Sequence, residues 1–467
     1  MTMMKSKISL LVTGLVLANK NRYWYFLIIF ILILTACGDA GGQNAGVTTL
    51  ICANLTASGG VDKAAVAQFN RTHPDVRIEV RDYLDEDGFS GKDRLMTEIA
   101  AGKIPDIIDL GRSPSSFCLL PYQVLARKGY LEDLWPYIDN DPELGRESVL
   151  EAPLKAAEVN GGLYVLFDEF IINTLTGAEG VVGDRSGWSL SELQDVFASM
   201  PEGSTILPYH YRKMEVFAYM MRMNLDGYVD WETGRCSFDC ENFRDALQFV
   251  NSFPDEVPYG EDLVPELLER MRHGKQMLWA EPIRTVMDMQ FISALLGSGD
   301  RISFVGYPSA DGGNGSSFFP QRKLAMSSAC RNKEAAWAFL REMLLPKYDR
   351  KAIIAGEGPV CIPINREDYD TVRMVSQSPD FVPKKTGFAY SAFSTDVVWV
   401  EYHSATDEEW AQYDGLINSI TKIDVYDSHI YNIVWEAAGA YFAGDKTLDE
   451  TIRLIENRVG LYVNENR

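Results

Sequence analysis

The sequence predicts an α/β protein in which strands and helices alternate along the chain. Beyond the N-terminal segment the order is strand, helix, strand, helix, strand, which favours a parallel or mixed sheet. The chain has 467 residues, too many for one ordinary hydrophobic core, and this length indicates about two or three domains. Hydrophobic residues make up 46% of the sequence, as in an ordinary folded protein, so disorder is not expected.

The first three elements follow from hydrophobic spacing. Residues 48–53 are mostly apolar and predict a strand. Val61, Ala65 and Phe69 recur at the spacing of one helical face, which predicts a helix. Residues 76–80 alternate apolar and charged side chains, as in a strand with one buried and one exposed face.

The next helix leads into a short buried strand. Leu95 and Ile99 share one face of this helix, and Gly102 is placed to end it. Residues 106–110 are mostly apolar, as in a parallel strand that is covered on both sides. Ligands of open α/β sheets bind beyond the carboxyl ends of such strands, so the loop 111–116 is the first candidate site.

Later elements are marked by helix caps and by one apolar run. Ser189 with Glu192, and Thr447 with Glu450, have the spacing of capping boxes at helix N-termini. Residues 274–282 predict a strand with a loop at its end.

The N-terminus has the pattern of a secretory signal. An apolar run at 23–34 follows basic residues and ends in Leu34-Thr35-Ala36-Cys37, and it is short for a membrane span of ~20 residues. Because a cysteine directly after Leu-Thr-Ala resembles a bacterial lipobox, we predict that 1–36 is a lipoprotein signal peptide and that Cys37 carries lipid, palmitate included. Residues 37–46 are glycine-rich and predict a flexible tether. An uncleaved N-terminal anchor is the alternative, and the apolar stretch 8–18 leaves the translation start open. The basic residues are Lys5, Lys7, Lys20 and Arg22.

Charge and cysteine spacing argue against several classes of function. The formal charge of −22 disfavours nucleic-acid binding, which needs clustered Lys and Arg. The cysteines lack zinc-binding spacing and the histidines are scattered, so neither a metal nor a cofactor is predicted. Cys236 and Cys240 are close enough in sequence to bridge across a turn, and their Cα separation decides whether they do.

Enzyme signatures are missing from the sequence. It contains no Walker A motif, no G-x-S-x-G and no H-E-x-x-H. The one catalytic constellation it permits is a pair of carboxylates, Asp168 or Glu169 with Glu281, acting on a glycosidic bond. A non-enzymatic binding protein is therefore the main hypothesis, and a secreted glycoside hydrolase is the alternative.

Candidate binding residues are aromatic and polar side chains in loops that follow strands. Sugars are held by aromatic faces against their C–H surfaces and by planar polar groups that form paired hydrogen bonds with hydroxyls. Each aromatic candidate has a core position as its alternative interpretation. The candidates are Asn54, Arg112, Ser113, Asp168, Glu169, Phe170, Tyr209, Trp231, Trp279, Glu281 and Tyr390.

Several segments resemble one protein family, in the same order and over essentially the whole mature chain. They resemble the extracellular solute-binding proteins of ABC importers, family 1, the carbohydrate-binding kind. The segments include Phe69-Asn70, Ala100-Ala101-Gly102-Lys103, Pro105-Asp106-Ile107-Ile108, Gly187-Trp188-Ser189, Asp230-Trp231-Glu232-Thr233-Gly234 and Ala335-Ala336-Trp337-Ala338-Phe339-Leu340.

The resemblance implies a two-lobed, periplasmic-binding-protein-like fold of type II, with a central cleft and a hinge of several segments. Matched to this chain, lobe 1 is expected at 47–165 with 300–355, and lobe 2 at 166–299 with 356–467. The implied function is capture of a carbohydrate, above all an oligosaccharide, and its delivery to the permease subunits of an ABC importer. The protein is then a monomer held at the extracellular face of the cell membrane by its lipid anchor alone.

The resemblance also implies site residues. In the family, the loop after the Pro-Asp-Ile-Ile strand contacts the ligand, which carries over to Gly111, Arg112 and Ser113. The segments at 168–169 and 279–282 face the cleft in such proteins. Maltose-binding members carry an aromatic residue just after that strand, where this chain has Asp109-Leu110, so maltodextrin is not the expected ligand. A surface receptor of the same fold without a transport role is a third hypothesis.

Overall fold

The structure is a computed structural model. It describes residues 47–55, 61–83, 91–111, 122–207, 212–256, 270, 273–296, 301–309, 311–379, 381, 386–388, 398–424 and 427–466. The chain divides into two compact units, Met1–Thr48 and Thr49–Arg467, and the fold is that of the second. The predicted signal peptide (1–36), tether (37–46) and lipidation site Cys37 lie outside the described residues.

Strands and helices alternate along the described residues. The strands are β1 (Thr48–Asn54), β2 (Val76–Asp82), β3 (Ile107–Asp109), β4 (Glu169–Asn173), β5 (Thr176–Ala178), β6 (Val229–Asp230), β7 (Arg235–Cys236), β8 (Ile302–Phe304), β9 (Ser317–Pro320), β10 (Leu324–Met326), β11 (Ile362–Pro363), β12 (Thr386–Phe388) and β13 (Val398–Val400). The helices are α1 (Lys63–Thr72), α2 (Lys92–Ala100), α3 (Tyr122–Arg127), α4 (Trp135–Asn140), α5 (Glu151–Ala156), α6 (Glu179–Val182), α7 (Leu190–Ala198), α8 (Lys213–Asn224), α9 (Glu241–Asn251), α10 (Val286–Leu296), α11 (Lys333–Leu340), α12 (Arg350–Ala355), α13 (Arg366–Ser376), α14 (Asp407–Ser419), α15 (Ser428–Phe442) and α16 (Leu448–Asn466). Short 3-10 turns lie at Arg146–Ser148, Leu225–Tyr228 and Arg341–Met343. None of these helices is long and apolar enough to cross a bilayer.

A four-stranded sheet in the order β10-β3-β1-β2 forms the centre of the N-terminal part. β1 and β3 are parallel, with Asn54 opposite Asp109, whereas β10 joins β3 antiparallel. Ile107 and Ile108 are fully buried, as expected for a strand covered on both faces. The predicted alternation of strands and helices at the start of the chain is therefore confirmed, and β10 is added to it from far along the sequence.

Both predicted capping boxes are present. The Glu192 amide donates to the Ser189 hydroxyl at 3.2 Å, and the Ser189 amide donates to the Glu192 carboxylate at 2.6 Å. Thr447 and Glu450 make the same reciprocal pair at 2.9 and 3.3 Å. These bonds satisfy backbone donors that the first helical turn leaves free, which fixes where α7 and α16 begin.

The strand predicted at 274–282 is wrong. This segment touches two partners through isolated bridges, Gln276 parallel to Thr205 and Trp279 antiparallel to Thr176. Because the bridges go to different neighbours, the described residues of the segment form no continuous ladder.

The described residues of the compact unit form two large hydrophobic cores and one small cluster of Ile171, Phe319 and Cys361. The first surrounds the four-stranded sheet and includes Leu50, Ile107 and Leu340. The second lies mainly between residues 175 and 280 and in α15 and α16, and it includes Phe243 and Ile455. This arrangement is that of a two-lobed α/β fold.

Core membership differs from the predicted lobe assignment near the C-terminus. Trp410 and Tyr413 of α14 contact Tyr369 of α13, with ring centroids 5.5 and 6.3 Å apart, and all three belong to the first core. The second core resumes only at Ile430 of α15. The buried side chains between 362 and 423 thus pack mainly in the first core, although the sequence assigned 356–467 as a whole to the second lobe. The predicted lobe boundaries stay predictions.

Three segments that connect the cores are hydrogen-bonded to one another. β4 pairs antiparallel with β9. The Phe318 amide of β9 donates to the Lys422 carbonyl at 2.9 Å, and the Asp424 amide donates to the Phe318 carbonyl at 2.7 Å. The Asn173 side-chain amide at the end of β4 donates to the Asp424 carboxylate at 3.2 Å. The hinge between the lobes is therefore built from several chain segments.

The cysteines that the structure describes are unbridged. Cys236 and Cys240 are free thiols, so the bridge that their spacing allows is not formed. Cys52, Cys330 and Cys361 are unbridged and buried, and they pack as small hydrophobic side chains.

Candidate functional site

The carboxyl ends of β1 and β3 lie at one edge of the four-stranded sheet, and β10 begins there. The register pairs Leu324, the first residue of β10, with Asp109, the last residue of β3. The Leu110 amide then donates to the Lys323 carbonyl at 2.9 Å. Gly111 has a φ of 78°, which glycine adopts without strain, and its amide donates to the Asp109 carboxylate at 2.7 Å. Ligands of open α/β sheets bind at this edge, which we call the carboxyl edge.

Asn54 forms hydrogen bonds with two neighbouring chain segments at the carboxyl edge. Its side-chain amide donates to the Asp82 carboxylate at 2.6 Å, and its side-chain oxygen accepts from the Val61 amide at 3.4 Å. Its backbone carbonyl accepts from the Tyr83 amide at 2.9 Å. Asn54 is thus a buried structural residue at the predicted site, and its contact with a ligand stays a prediction.

A cavity of about 920 Å³ opens at the carboxyl edge. One wall is a face of α1 that carries Ala65 and Phe69, and another includes Leu324 at the start of β10. Its volume falls within the range of small-molecule sites, roughly 300–1,000 Å³. The polar lining near the hinge combines two predicted residues with four others, namely Asp168, Glu169, Gln321, Arg322, Lys347 and Tyr348.

Asp168 is held by two cations inside this cavity. Its carboxylate accepts a hydrogen bond from Arg322 Nη2 at 3.2 Å and from Lys347 Nζ at 3.0 Å. Burial alone would raise the pKa of Asp168, but the charges of Lys347 and Arg322 outweigh it and lower the pKa. Asp168 is therefore a fixed anion that positions both cations at the cavity wall.

Glu169, the next residue, has the opposite electrostatic environment. Its carboxylate accepts from the Tyr348 hydroxyl at 3.0 Å and from the Cys361 amide at 3.2 Å. Burial raises the pKa of Glu169, and the negative charge of Asp168 adds to this effect. At the same cavity, the pKa of Asp168 is therefore lowered and the pKa of Glu169 is raised.

Replacing Asp168 by asparagine is expected to destabilise the protein by about 2 kcal/mol, because hydrogen bonds to charged groups contribute roughly 1.5–3 kcal/mol and two cations lose their anion. Chemical denaturation at neutral pH measures the change. Glu342→Gln is the matched control, since Glu342 lines the same cavity with an exposed side chain and is expected to change stability by less than about 0.5 kcal/mol. Equal effects of the two substitutions would show that the Asp168 ion pairs contribute little.

Two of the predicted ligand aromatics are core residues. Phe170 is fully buried and packs edge-on against Phe167 and Phe318, with ring centroids 6.5 and 5.2 Å apart. Trp279 is 1% exposed and lies edge-on to Phe291 at 6.3 Å. Neither ring presents a face on which a sugar could stack, so the core interpretation applies to both.

Trp231 lies in a different groove, of about 490 Å³, between residues of the two cores. The Arg127 guanidinium of α3 sits 4.8 Å from the centroid of the Trp231 ring. Nearby, Lys128 Nζ donates to the Asn466 side chain of α16 at 3.0 Å. Trp231 therefore contributes to contacts between the lobes, away from the cavity at the carboxyl edge.

The carboxylate pair predicted for a hydrolase is not assembled at this cavity. Asp168 is bound by two cations, and Glu281 is exposed and does not belong to the cavity lining. The described residues also contain no group of three or more His, Cys, Asp or Glu side chains that could hold a metal ion.

Sequence reasoning missed the cations of the site. Arg322 and Lys347 follow no motif. Arg322 reaches the carboxyl edge because β10 pairs with β3 across a long stretch of sequence, and Lys347 comes from the segment after the Arg341–Met343 turn. No local sequence pattern predicts the pairing of β10 with β3. Of the predicted site residues, Arg112, Ser113, Tyr209 and Tyr390 lie outside the described residues.

The chain is similar in structure to periplasmic and sugar-binding proteins. The sugar-binding protein MalE from Xanthomonas citri matches with a TM-score of 0.52 and 14% identity, over 90% of this chain and 98% of that one. A periplasmic oligogalacturonide binding protein from Yersinia enterocolitica matches with a TM-score of 0.50 and 15% identity, over 90% of this chain and 100% of that one. A de novo designed cysteine esterase matches with a TM-score of 0.51 and 15% identity, over 90% of this chain and 99% of that one. No protein-family model and no curated protein matches the chain. At these identities the similarities establish the fold, and they confirm the implied resemblance to the solute-binding proteins at that level.

Proposed function

We propose that this protein captures a carbohydrate at the carboxyl edge of its first core and delivers it to an ABC importer. The observation that carries the proposal is the cavity at the carboxyl edge, which combines a suitable volume with a polar wall of Asp168, Arg322 and Lys347. Charged and planar polar groups of this kind form directional hydrogen bonds with several hydroxyls at once. The fold of the neighbours supports the same role, since two of them are described as binding a sugar and an oligogalacturonide.

The hinge supports a mechanism in which binding drives closure. The connecting segments β4, β9 and 422–424 are joined by few hydrogen bonds and by short pairings. Small backbone changes in such segments rotate two packed lobes without disturbing either core. A ligand that contacts both lobes then favours the closed form, and the closed form is the one offered to the permease.

The chemistry of the cavity favours binding over catalysis. Asp168 is held as an ion by Arg322 and Lys347, and the Glu169 carboxylate is occupied by Tyr348 and Cys361. Binding requires neither a change of protonation nor a covalent intermediate. Carboxylates that already accept hydrogen bonds from protein groups are therefore compatible with it. We therefore infer a non-enzymatic protein.

Membrane attachment completes the proposal. The apolar run that ends in Leu34-Thr35-Ala36-Cys37 supports lipidation of Cys37 after removal of 1–36. The protein would then act as a monomer on the outer face of the cell membrane, tethered by 37–46 and free to meet the permease subunits. We further propose that the lobes follow core membership, with most of 362–423 in lobe 1.

A thermal-shift screen of sugars tests the proposed function. A ligand present at 100 times its dissociation constant is expected to stabilise the protein by about 2.7 kcal/mol. The panel contains neutral mono- and oligosaccharides, uronic acids and sugar phosphates. Arg322→Gln is expected to reduce the shift because Arg322 lines the cavity, whereas Arg331→Gln changes an exposed residue outside the cavity lining and should leave it intact.

Two results would contradict the proposal. The first is the absence of a shift with every sugar in the panel. The second is a shift that responds equally to Arg322→Gln and Arg331→Gln, since binding would then lie elsewhere on the molecule.

A further inference from the structure

The groove that holds Trp231, which we call the interlobe groove, lies beside the hinge and is separate from the cavity at the carboxyl edge. The two spaces share no lining residue. One wall of the groove includes Tyr122 of the first core and another includes Ile430 of the second. Its third side is the hinge segment 421–423. Its volume of about 490 Å³ is within the range of small-molecule sites, roughly 300–1,000 Å³.

Gln123 contributes a buried amide to this groove. The residue lies on α3, lines the groove and is 8% exposed. Its side chain forms no hydrogen bond with any residue that the structure describes, whereas the hydroxyl of the preceding residue, Tyr122, donates to the Ala157 carbonyl at 2.9 Å. A buried amide without a partner destabilises a fold. The Gln123 amide therefore indicates a hydrogen-bond partner that comes from outside the chain.

Three more neutral groups line the groove without a hydrogen bond to a described residue. They are the Trp231 indole N–H, the Asn160 side-chain amide and the Thr421 hydroxyl. Asn160 and Gly161 have φ values of 51° and 80° and form the two-residue turn of a small hairpin, in which the Val159 amide donates to the Gly162 carbonyl at 2.9 Å. This turn fixes the position at which the Asn160 side chain leaves the backbone.

The charged groups of the groove do not favour an ionic ligand. Glu158, Asp230 and Asp427 each accept a hydrogen bond from another side chain of the protein. The lining contains four carboxylates against two cations, Arg127 and Lys422, so its charge repels an anion. The Arg127 guanidinium already lies 4.8 Å from the centroid of the indole ring, where a cationic ligand would have to compete with it.

We propose that the interlobe groove is a second binding site, which takes a neutral molecule rich in hydroxyl groups. Amides and hydroxyls combine donors with acceptors, and ligand hydroxyls do the same, so they match the groups of Gln123, Asn160 and Thr421. Trp231 adds a donor and an apolar ring. A cyclic sugar and an open-chain polyol share this chemistry, and the test separates them. The site is additional to the one proposed at the carboxyl edge and does not depend on it.

The test is isothermal titration calorimetry on the full mature chain and its variants. The probes are glucose, galactose and trehalose, the open-chain polyol sorbitol, and galacturonate as the anionic counterpart of galactose. Gln123→Leu removes the buried amide at similar size, and Asn160→Gly removes the other amide while allowing the positive φ. Gln194→Leu is the control, because Gln194 is an exposed glutamine of α7 outside the groove lining.

At least one neutral probe is expected to bind the wild type at this site. Its dissociation constant should rise at least tenfold in Gln123→Leu and in Asn160→Gly, and should stay unchanged in Gln194→Leu and in the cavity variant Arg322→Gln. Galacturonate should bind there more weakly than galactose. Thermal unfolding checks each variant, and Gln123→Leu should melt no lower than the wild type because the amide it removes has no partner.

Three outcomes would overturn the inference. If binding of every probe depends on Arg322 and none depends on Gln123 or Asn160, the groove is not a site and the proposed function stands. If galacturonate binds in the groove more tightly than galactose, the ligand class is wrong. If none of the probes binds, both the second site and the proposed function fail.

Discussion

Replacing Asp141 by alanine is expected to lower the free energy of unfolding by about 3–5 kcal/mol, the range for removal of one partner from a buried ion pair. The Asp141 carboxylate accepts hydrogen bonds from Arg341 Nε at 2.8 Å and Nη2 at 2.9 Å, and from Trp337 Nε1 at 2.8 Å. Its side chain is 2% exposed and that of Arg341 is 17% exposed. Alanine would leave a buried guanidinium and an indole N–H without their acceptor.

Asp139→Ala is the matched control for this prediction. Asp139 lies in α4, close to Asp141 in the sequence. It accepts two hydrogen bonds from Arg146, but its side chain is 43% exposed. Exposed ion pairs contribute about 0–1 kcal/mol, so this variant should be nearly as stable as the wild type. Urea denaturation followed by fluorescence measures both. If both variants lost a similar free energy of unfolding, burial would not be the reason for the contribution of the Asp141–Arg341 pair.

The Asp141–Arg341 pair also stabilises a segment that lines the cavity. Trp337 lies on α11 and Arg341 in the turn that follows, and Phe339 and Met343 from the same region line the cavity. Burial disfavours the charged form of Asp141, but the hydrogen bonds from Arg341, the Glu143 amide and Trp337 prevail and lower its pKa to about 2. The contribution of the pair is therefore complete above about pH 4 and is lost as the pH falls toward 2.

The parts of the fold that the sequence predicted are those that depend on local patterns. β1, β2 and β3 follow from alternation or from a short apolar run, and the caps at Ser189 and Thr447 are complete within four residues. The strand predicted at 274–282 failed because a local apolar pattern does not specify a neighbour, and this segment has two. Pairings between distant segments, such as β10 with β3, leave no local signature.

The same distinction explains the site. Asp168 and Glu169 were identified because they follow the mostly apolar run 163–167, which is a local signal. Their partners Arg322 and Lys347 come from segments that meet only in the folded chain. Burial of aromatic residues is likewise a property of the whole fold, so Phe170 could not be assigned to the core from its position beside a polar pair.

Lys323 is buried, and its own ionisation allows the cost of burying its charge to be measured. The charged groups around it are Asp109 on β3, Asp424 in the hinge and Arg322 beside it. Cys52 on β1 is also near, but burial first and the Asp109 charge second raise its pKa, so this thiol stays protonated in the window of interest. Lys323 is the group here whose pKa is lowered into that window.

Replacing Lys323 by methionine is expected to raise the free energy of unfolding of the ligand-free protein by about 3 kcal/mol at pH 7, from a pKa lowered from 10.5 to about 8 at about 1.4 kcal/mol per unit. Methionine keeps the length of the side chain and removes the charge. Between pH 8 and 10.5 the unfolded chain binds more protons at this position than the folded one, so the wild type gains on the variant and the difference vanishes near pH 10.5. Urea denaturation across pH 7–10.5 measures the difference, with Lys351→Met as the exposed control. A difference that is absent at pH 7, or that does not shrink as the pH rises, would mean that the Lys323 charge is not buried at a cost.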